Sequence, residues 1–276
     1  VKIGFIGLGV MGRPMAGHLV RAEHEVTGHD LSPVDFEGAL AGSVAEAVRD
    51  ADVVITMLPA DPQVEAVFPE ISANAPQDAL YIDFSTITPQ TSQKLAQQWK
   101  RTLDAPVSGG EKGAIDAVLS IMAGGSAADF AAAQPVFEAV ATTYRLVGGP
   151  GAGQYVKAAN QLVVGGTYAL LAEAIVLMEA AGVDAAAGLD VLAGGLAAGR
   201  ILDLKRTSML ARDFRPGFRI DLHHKDMGIV LDAARGAGVA VPMGALTAQL
   251  VASARAQGYG GLDHSALLKV VEGLSR

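Results

Sequence analysis

Gly148-Gly149-Pro150-Gly151-Ala152-Gly153-Gln154-Tyr155-Val156-Lys157-Ala158-Ala159-Asn160-Gln161 separates two halves of different character. Before it, apolar strand-like runs alternate with amphipathic helices; after it, the pattern is helical to the end. The glycines end one domain, and the run behind them opens a helix that continues to about Ala181, where Gly182 stops it. The expected division is therefore 1–150 and 151–276. At about 100° per residue, Gly153, Lys157, Asn160 and Gln161 fall on one helix face. A single lysine among alanines on such a face is either a solvated charge or a catalytic one. The flanking sequence has to decide which.

Upstream, Val1-Lys2-Ile3-Gly4-Phe5-Ile6 reads as a buried strand, Gly7-Leu8-Gly9-Val10-Met11-Gly12 follows, and an amphipathic helix runs from about Arg13 to Ala22. This is G-x-G-x-x-G between strand and helix. Gly7 permits the tight turn, Gly9 lets backbone approach a pyrophosphate, and Gly12 lets helix pack on strand. Free N–H groups at the helix start complete an anion site. Glycine loops are common, and a structural turn would look similar, but the context is specific. A second strand, Glu25 to His29, ends in Asp30, eighteen residues after Gly12. A carboxylate there accepts from ribose hydroxyls and repels a 2′-phosphate, which favours NAD(H) over NADP(H) as cofactor.

The alternation continues. Helices are expected at about Ser43–Arg49, Pro62–Phe68, Pro89–Trp99 and Ala127–Val140. Strands are expected at Ala51–Pro59, Ala79–Asp83, from Leu103, and at Leu119–Ala123 and Thr143–Val147. Such a series implies a parallel doubly wound sheet, with ligands at the carboxyl ends of the strands. Leu58, Pro59, Thr86 and Ser108 occupy such ends, although strand termination and capping would explain the first three taken singly. Ser108-Gly109-Gly110 says more: successive unhindered N–H groups beside a hydroxyl suit a small carboxylate.

Downstream, helices are expected at about Ala187–Leu192, Gly199–Leu210, His223–Ala237, Met243–Gln257 and His264–Leu274, with no strand. Asp263-His264-Ser265 reads as a cap. Lys225 is placed to reach a ligand, and Asp226 to anchor a loop or a neighbouring charge. His223-His224 lacks a third ligand at metal spacing, so no metal is expected.

Composition narrows the class. Half of the 276 residues are hydrophobic, 18% are charged, and the formal net charge is −8. An acidic chain without a basic run argues against nucleic acid or an anionic membrane surface as partner. There is no cysteine, which removes disulfides, thiolate metal sites and cysteine nucleophiles. No apolar run reaches the roughly 18 residues of a membrane span, and with a strand and glycine loop read from Val1 no leader is expected within the sequence, which does not start with Met and so leaves a removed presequence open. The expected location is the cytoplasm.

Four ordered motifs together resemble the β-hydroxyacid dehydrogenases, relatives of 3-hydroxyisobutyrate and 6-phosphogluconate dehydrogenases, over essentially the whole length. They are Gly4–Gly12, Asp104-Ala105-Pro106-Val107-Ser108-Gly109-Gly110, Gly151-Ala152-Gly153-Gln154 through Lys157-Ala158-Ala159-Asn160-Gln161, and Lys225-Asp226. Gly194–Ala197, Phe214–His223 and Leu262–Leu267 are most similar to the branch that reduces tartronate semialdehyde. The resemblance implies a Rossmann-type domain, a long inter-domain helix and an all-α domain that serves the substrate and oligomerisation. It implies Lys157 as catalytic acid/base, Ser108, Gly109 and Gly110 as the substrate-carboxylate loop, and Asn160 with Gln161 as orienting amides. The family often carries a second Asn where Gln161 stands, so which amide works is open. Cofactor contacts are implied at Gly7, Leu8, Gly9, Val10, Met11, Gly12, Asp30, Leu58, Pro59, Gln63, Thr86 and Lys225. A small carboxylate substrate and a homodimer or homotetramer are expected. A dinucleotide sensor without turnover is the reading from another class, and retention of both Lys157 and the Ser-Gly-Gly loop argues against it.

Overall fold

The computed structural model of the chain describes residues 1–275. It divides into two compact units, Val1–Lys157 and Ala158–Arg276.

The first unit opens with β1 (Lys2–Ile6), α1 (Gly12–Arg21), β2 (Glu25–His29), β3 (Ala39–Leu40) and α2 (Val44–Val48). It continues through β4 (Val53–Thr56), α3 (Asp61–Asn74), β5 (Leu80–Asp83), α4 (Pro89–Gln98) and β6 (Thr102–Asp104). The last part holds β7 (Val107–Ser108), α5 (Gly110–Ile115), β8 (Leu119–Gly125), α6 (Ala127–Val140) and β9 (Ala141–Gly148). Among the described residues these strands form one sheet in the order β3-β2-β1-β4-β5-β6-β8-β7, with β9 beside β8. Strands β3 to β6 pair in parallel. Side chains alternate between the two faces. Ile3, Phe5, Ile55 and Ile82 face a core built with Met15 and Leu19 of α1 and Phe137 of α6. Ile6, Val54 and Tyr81 face the other, with Val48, Phe68, Ile71 and Trp99. Both faces are covered, so the strands read as continuous apolar runs.

Two features depart from the expected all-parallel sheet. β8 runs antiparallel to both β6 and β7. Only a short link carrying α5 separates β7 from β8, less than the dozen or more residues a parallel crossover needs. The two-residue strand β3 and the one-turn-and-a-half helix α5 also went unread, being too short for a periodic signal.

The second unit is helical. α7 (Ala152–Ala180) enters it, followed by α8 (Ala185–Ala193), α9 (Arg200–Leu210), α10 (Ile220–Ala237), α11 (Pro242–Ala254) and α12 (Leu267–Leu274). The expected continuous helix to Gln257 changes to a π-helical turn over Arg255–Tyr259, where Gly258 takes φ 84°. Asp263 caps the next turn as read, accepting from Ser265 N. Its core gathers Tyr168, Ala172 and Ile175 of α7 with Leu202, Met227, Val230, Val251, Leu268 and Val271. Contrary to the reading by apolar runs, α7 has the length and composition of a membrane-crossing helix, with a mean hydropathy of 1.7. Its few polar side chains are spread thinly enough for a window average to pass. One face of the helix is nevertheless core.

The first turns of α7 group with the first unit, into which they are bonded. Gly151 N and Gln154 N donate to the two carboxylate oxygens of Asp104 at 2.7 and 3.0 Å. Gln154, fully buried, donates to Ser85 O at 2.8 Å.

Candidate active site

In the first unit, the glycine loop adopts the geometry that its sequence requires. Gly7 has φ 98°, a conformation that L side chains avoid. A Cβ on Gly12 would lie 1.9 Å from Gly7 O, whereas one on Gly9 would meet nothing within 4 Å. Turn, close packing and open backbone are thus distributed over Gly7, Gly12 and Gly9 as a pyrophosphate loop needs. α1 has no side-chain cap and no acid in its first turn. By contrast, Ser43, Thr88 and Ser126 cap α2, α4 and α6. The uncapped start keeps positive dipole and N–H groups available for an anion. Val10 is exposed and Met11 packs against the core.

Asp30 stands directly after β2. One oxygen accepts from Leu8 N and the other from Ser32 N, both at 2.8 Å. The carboxylate therefore braces the glycine loop and retains lone pairs for further donors. Leu58 follows β4; its N–H donates to Ser85 Oγ at 2.9 Å, and its side chain lies beside Gly7. Pro59 is exposed next to it, Thr86 follows Ser85, and Gln63 sits exposed in the first turn of α3. Gly7 to Gly12, Asp30, Leu58, Pro59 and Thr86 all lie at the carboxyl ends of β1, β2, β4 and β5.

Beside them is a buried network that sequence reading missed. Tyr81 OH and Thr56 Oγ1 are 2.8 Å apart, and Thr56 Oγ1 donates to Asp83 Oδ1 at 2.8 Å. Ser85 N also donates to Asp83 Oδ1, while Asp83 Oδ2 has no hydrogen-bond partner. Burial pushes the Asp83 carboxyl up to about 6 against the pull of these donors. In register beside it on β6 is Asp104, pushed up to about 6 by burial as well, against the bonds from Gly151 and Gln154. An acid closing an apolar strand is the only sequence signal these residues carry.

Ser108-Gly109-Gly110 links β7 to α5. Gly109 and Gly110 take φ 141° and 64°. Gly109 is the N-cap and offers no side chain. A Cβ on Gly110 would be in open space. Two residues before Gly109, Val107 O accepts from Lys157 Nζ at 2.8 Å. Lys157 is only 7% exposed. The structure thus joins the lysine to the strand that ends in the Ser-Gly-Gly loop. The ammonium donates to a neutral carbonyl oxygen.

In the second unit, Gln161 is buried and committed. Its Oε1 accepts from Asn160 Nδ2 at 2.8 Å, and its Nε2 donates to Asp226 Oδ2 at 2.6 Å. Asp226 Oδ1 is 2.8 Å from Lys225 Nζ. Asp226 therefore anchors the neighbouring charge, as anticipated, and an amide besides. Asn160 is the less buried of the two amides. His223 pairs not with His224 but with His264, their Nδ1 atoms 3.2 Å apart. Burial, and His223 beside it, hold the His264 ring well below its ordinary value.

Residues 2–149 match the model of the NAD binding domain of 6-phosphogluconate dehydrogenase, and residues 151–271 that of the NAD-binding domain of NADP-dependent 3-hydroxyisobutyrate dehydrogenase. The chain is 39% identical to 2-hydroxy-3-oxopropionate reductase of Escherichia coli K12, over 99% of this chain and 97% of the relative. It is 37% identical to the 3-sulfolactaldehyde reductase of the same organism, covering 98% and 95%. A structure of Mycobacterium tuberculosis 3-hydroxyisobutyrate dehydrogenase with L-serine superposes with a TM-score of 0.89 at 36% identity, covering 98% of each chain.

Proposed function

The chain belongs to the β-hydroxyacid dehydrogenases related to 3-hydroxyisobutyrate dehydrogenase, and from that premise we propose that it reduces tartronate semialdehyde to D-glycerate with NADH, using Lys157 as the acid. The enzyme class is NAD(P)-dependent oxidoreductase; the substrate, the preference for NADH and the residue roles are the proposal. The observation that carries it is Lys157, buried and bonded to Val107 O beside Ser108-Gly109-Gly110.

The residues present suit a dinucleotide. Gly7, Leu8, Gly9, Val10, Met11 and Gly12 would receive its pyrophosphate, and Asp30 its adenosine ribose. Leu58, Pro59, Gln63, Thr86 and Lys225 would supply further contacts. The cofactor, when bound, supplies the hydride. The protein orients and protonates. The Ser108 hydroxyl and the N–H groups of Gly109 and Gly110 bind the substrate carboxylate, and the half-buried Asn160 orients its hydroxyl. As the carbonyl carbon gains hydride, the Lys157 ammonium stabilises the charge developing on oxygen and transfers its proton there. In the reverse direction the neutral amine takes the hydroxyl proton.

Replacing Lys157 by Ala is expected to lower turnover by about 10²–10⁴-fold, the usual contribution of a positioned acid, while NADH binding, followed by fluorescence, is retained. Near-normal turnover would remove Lys157 from the mechanism. A panel of tartronate, methylmalonate, succinate and sulfolactate semialdehydes or their hydroxyacids, followed by NADH absorbance, tests the substrate. The alternative reading is 3-hydroxyisobutyrate or another β-hydroxyacid, favoured by the likeness to the M. tuberculosis enzyme. Absence of turnover on every member, with NADH bound, would instead favour a sensor.

A further inference from the structure

Gln154 lies in the first turn of α7, fully buried, three residues before Lys157. Its Nε2 donates to Ser85 O at 2.8 Å, and its Oε1 accepts from Ile87 N at 3.3 Å. One amide thus takes both backbone groups that flank Thr86, as a paired strand would. The rest of the turn is bonded as well. Ser85 N donates to Asp83 Oδ1 at 3.0 Å, and Ser85 Oγ accepts from Leu58 N at 2.9 Å. A buried glutamine costs desolvation that an apolar side chain of the same size would not, so the filling of space does not explain it. Capping does not explain its side chain either, because the start of α7 is capped by Asp104, which accepts from Gly151 N and Gln154 N.

We infer that Gln154 is a positioning residue for the hydride-transfer reaction: its amide ties the turn 85–87, which presents Thr86 to the cofactor, to the turn of α7 that carries Lys157. The inference rests on the reading of Lys157 as the acid and of Thr86 as a cofactor contact. Hydride and proton add to the two ends of one carbonyl bond, so their donors have to be held in register with each other. A misplacement of about 1 Å, even one caused far from the reacting atoms, costs on the order of 10²-fold in rate. Thr86 and Lys157 stand on different elements, and a bond between those elements is what sets the register.

The lysine end of this tie is stiff. Gln154 and Lys157 are three residues apart on α7 and so lie on one face, a turn from each other. Lys157 Nζ donates to Val107 O at 2.8 Å, and Gln154 N donates to Asp104 Oδ2 at 3.0 Å. The helix turn 154–157 and the segment 104–107 are therefore joined at both ends, with Pro106 between. Backbone meets backbone here. A Cβ on Gly153 would lie 2.2 Å from Met122 O and 2.7 Å from Asp104 O, and one on Gly124 would lie 2.5 Å from Asp104 Oδ1. The start of α7 is thus seated on β6 and β8 without side chains between, and the Gln154 amide joins the loop after β5 to that seat.

Gln154→Leu keeps the volume and deletes both amide bonds. The test is a stopped-flow single turnover of the full chain with NADH and the semialdehyde of the panel that the wild type reduces fastest. The hydride step of the variant is expected to slow by on the order of 10²-fold. NADH affinity should stay within a few-fold of wild type, because the glycine loop and Asp30 are untouched. A residue that served only the fold would lower the amplitude, which counts competent enzyme, and leave the rate unchanged; that result would overturn the inference. Gln154→Glu tests the same bonds within one preparation. As a carboxylic acid it donates to Ser85 O and accepts from Ile87 N, whereas as a carboxylate it cannot donate. Burial favours the acid form. Its rate divided by that of wild type should therefore be highest at acid pH and fall as pH rises, the titrations of Asp83, Asp104 and Lys157 being common to both enzymes. A ratio independent of pH would also overturn the inference. Lys157→Ala keeps the two readings apart. A slow Lys157→Ala beside a Gln154→Leu as fast as wild type removes this inference alone. Near-normal turnover of Lys157→Ala removes the assignment of the acid and this inference with it.

Discussion

Replacing Asp83 by Asn is expected to stabilise the first unit at neutral pH and to leave it nearly unchanged at pH 4. Asp83 is 2% exposed, and its Oδ1 accepts from Thr56 and Ser85 while its Oδ2 has no partner. Burial moves its carboxyl from 3.8 to about 6. The native state therefore holds more protons than the unfolded state between about pH 4 and pH 6. Stability is full below the unfolded value and falls as pH rises through the native one. A displacement of about two units at 1.36 kcal/mol each gives a loss of about 3 kcal/mol by pH 7. That is a large share of the ~5–15 kcal/mol that keeps a domain folded. The Asn side chain keeps the Oδ1 acceptor and cannot ionise, so the variant should gain most of this amount at pH 7. Asp104 titrates in the same direction, partly because Asp83 is near it, so the variant should also soften that second slope. Asp61 acts oppositely: against the upward push of burial, the Thr88 hydroxyl and N–H hold it below its ordinary value. Only the difference between variant and wild type isolates Asp83. The assay is urea unfolding at fixed protein concentration from pH 4 to pH 8, followed by fluorescence of Trp99. That residue is the chain's single tryptophan, 3% exposed and in the same core as Tyr81. A variant less stable than wild type at pH 7, or a difference that does not grow between pH 4 and pH 6, would refute the reasoning.

Three further outcomes follow from single contacts. Asp30→Ala should weaken NADH more than NADPH, measured by titration of each, and should also loosen the loop at Leu8, whose N–H it accepts; an unchanged ratio would remove Asp30 as selector. Gly12→Ala places a methyl 1.9 Å from Gly7 O, so it should abolish dinucleotide binding or cost about 1–3 kcal/mol of stability from overpacking, read by calorimetry. Asp263→Ala leaves Lys205 Nζ, Gly217 N, Phe218 N and Ser265 without their buried acceptor. A loss of about 3–5 kcal/mol is expected for breaking such a pair, seen as a lower melting temperature of the helical unit.

The sequence by itself determined the elements whose cause is local. The glycine fingerprint is legible because Gly7 must take a positive φ and Gly12 must admit Gly7 O. The alternation of strands and helices is legible because burial on both sheet faces writes continuous apolar runs. Lys157 stood out because one charge among alanines breaks a pattern. The tertiary structure alone decided how polar groups far apart in sequence are matched. Asp104 receives the start of α7 from 47 residues away, Gln161 is committed to Asp226 across 65, and His223 meets His264 across 41. The reversed direction of β8 belongs with these. Each depends on which buried donor finds which acceptor once the chain is compact, and a buried polar group will take whatever partner the packing brings. Periodicity records which face of an element is dry. It carries no address for the partner, so the bonds that tie Asn160 to Gln161 and Gln161 to Asp226 are visible only in the folded chain.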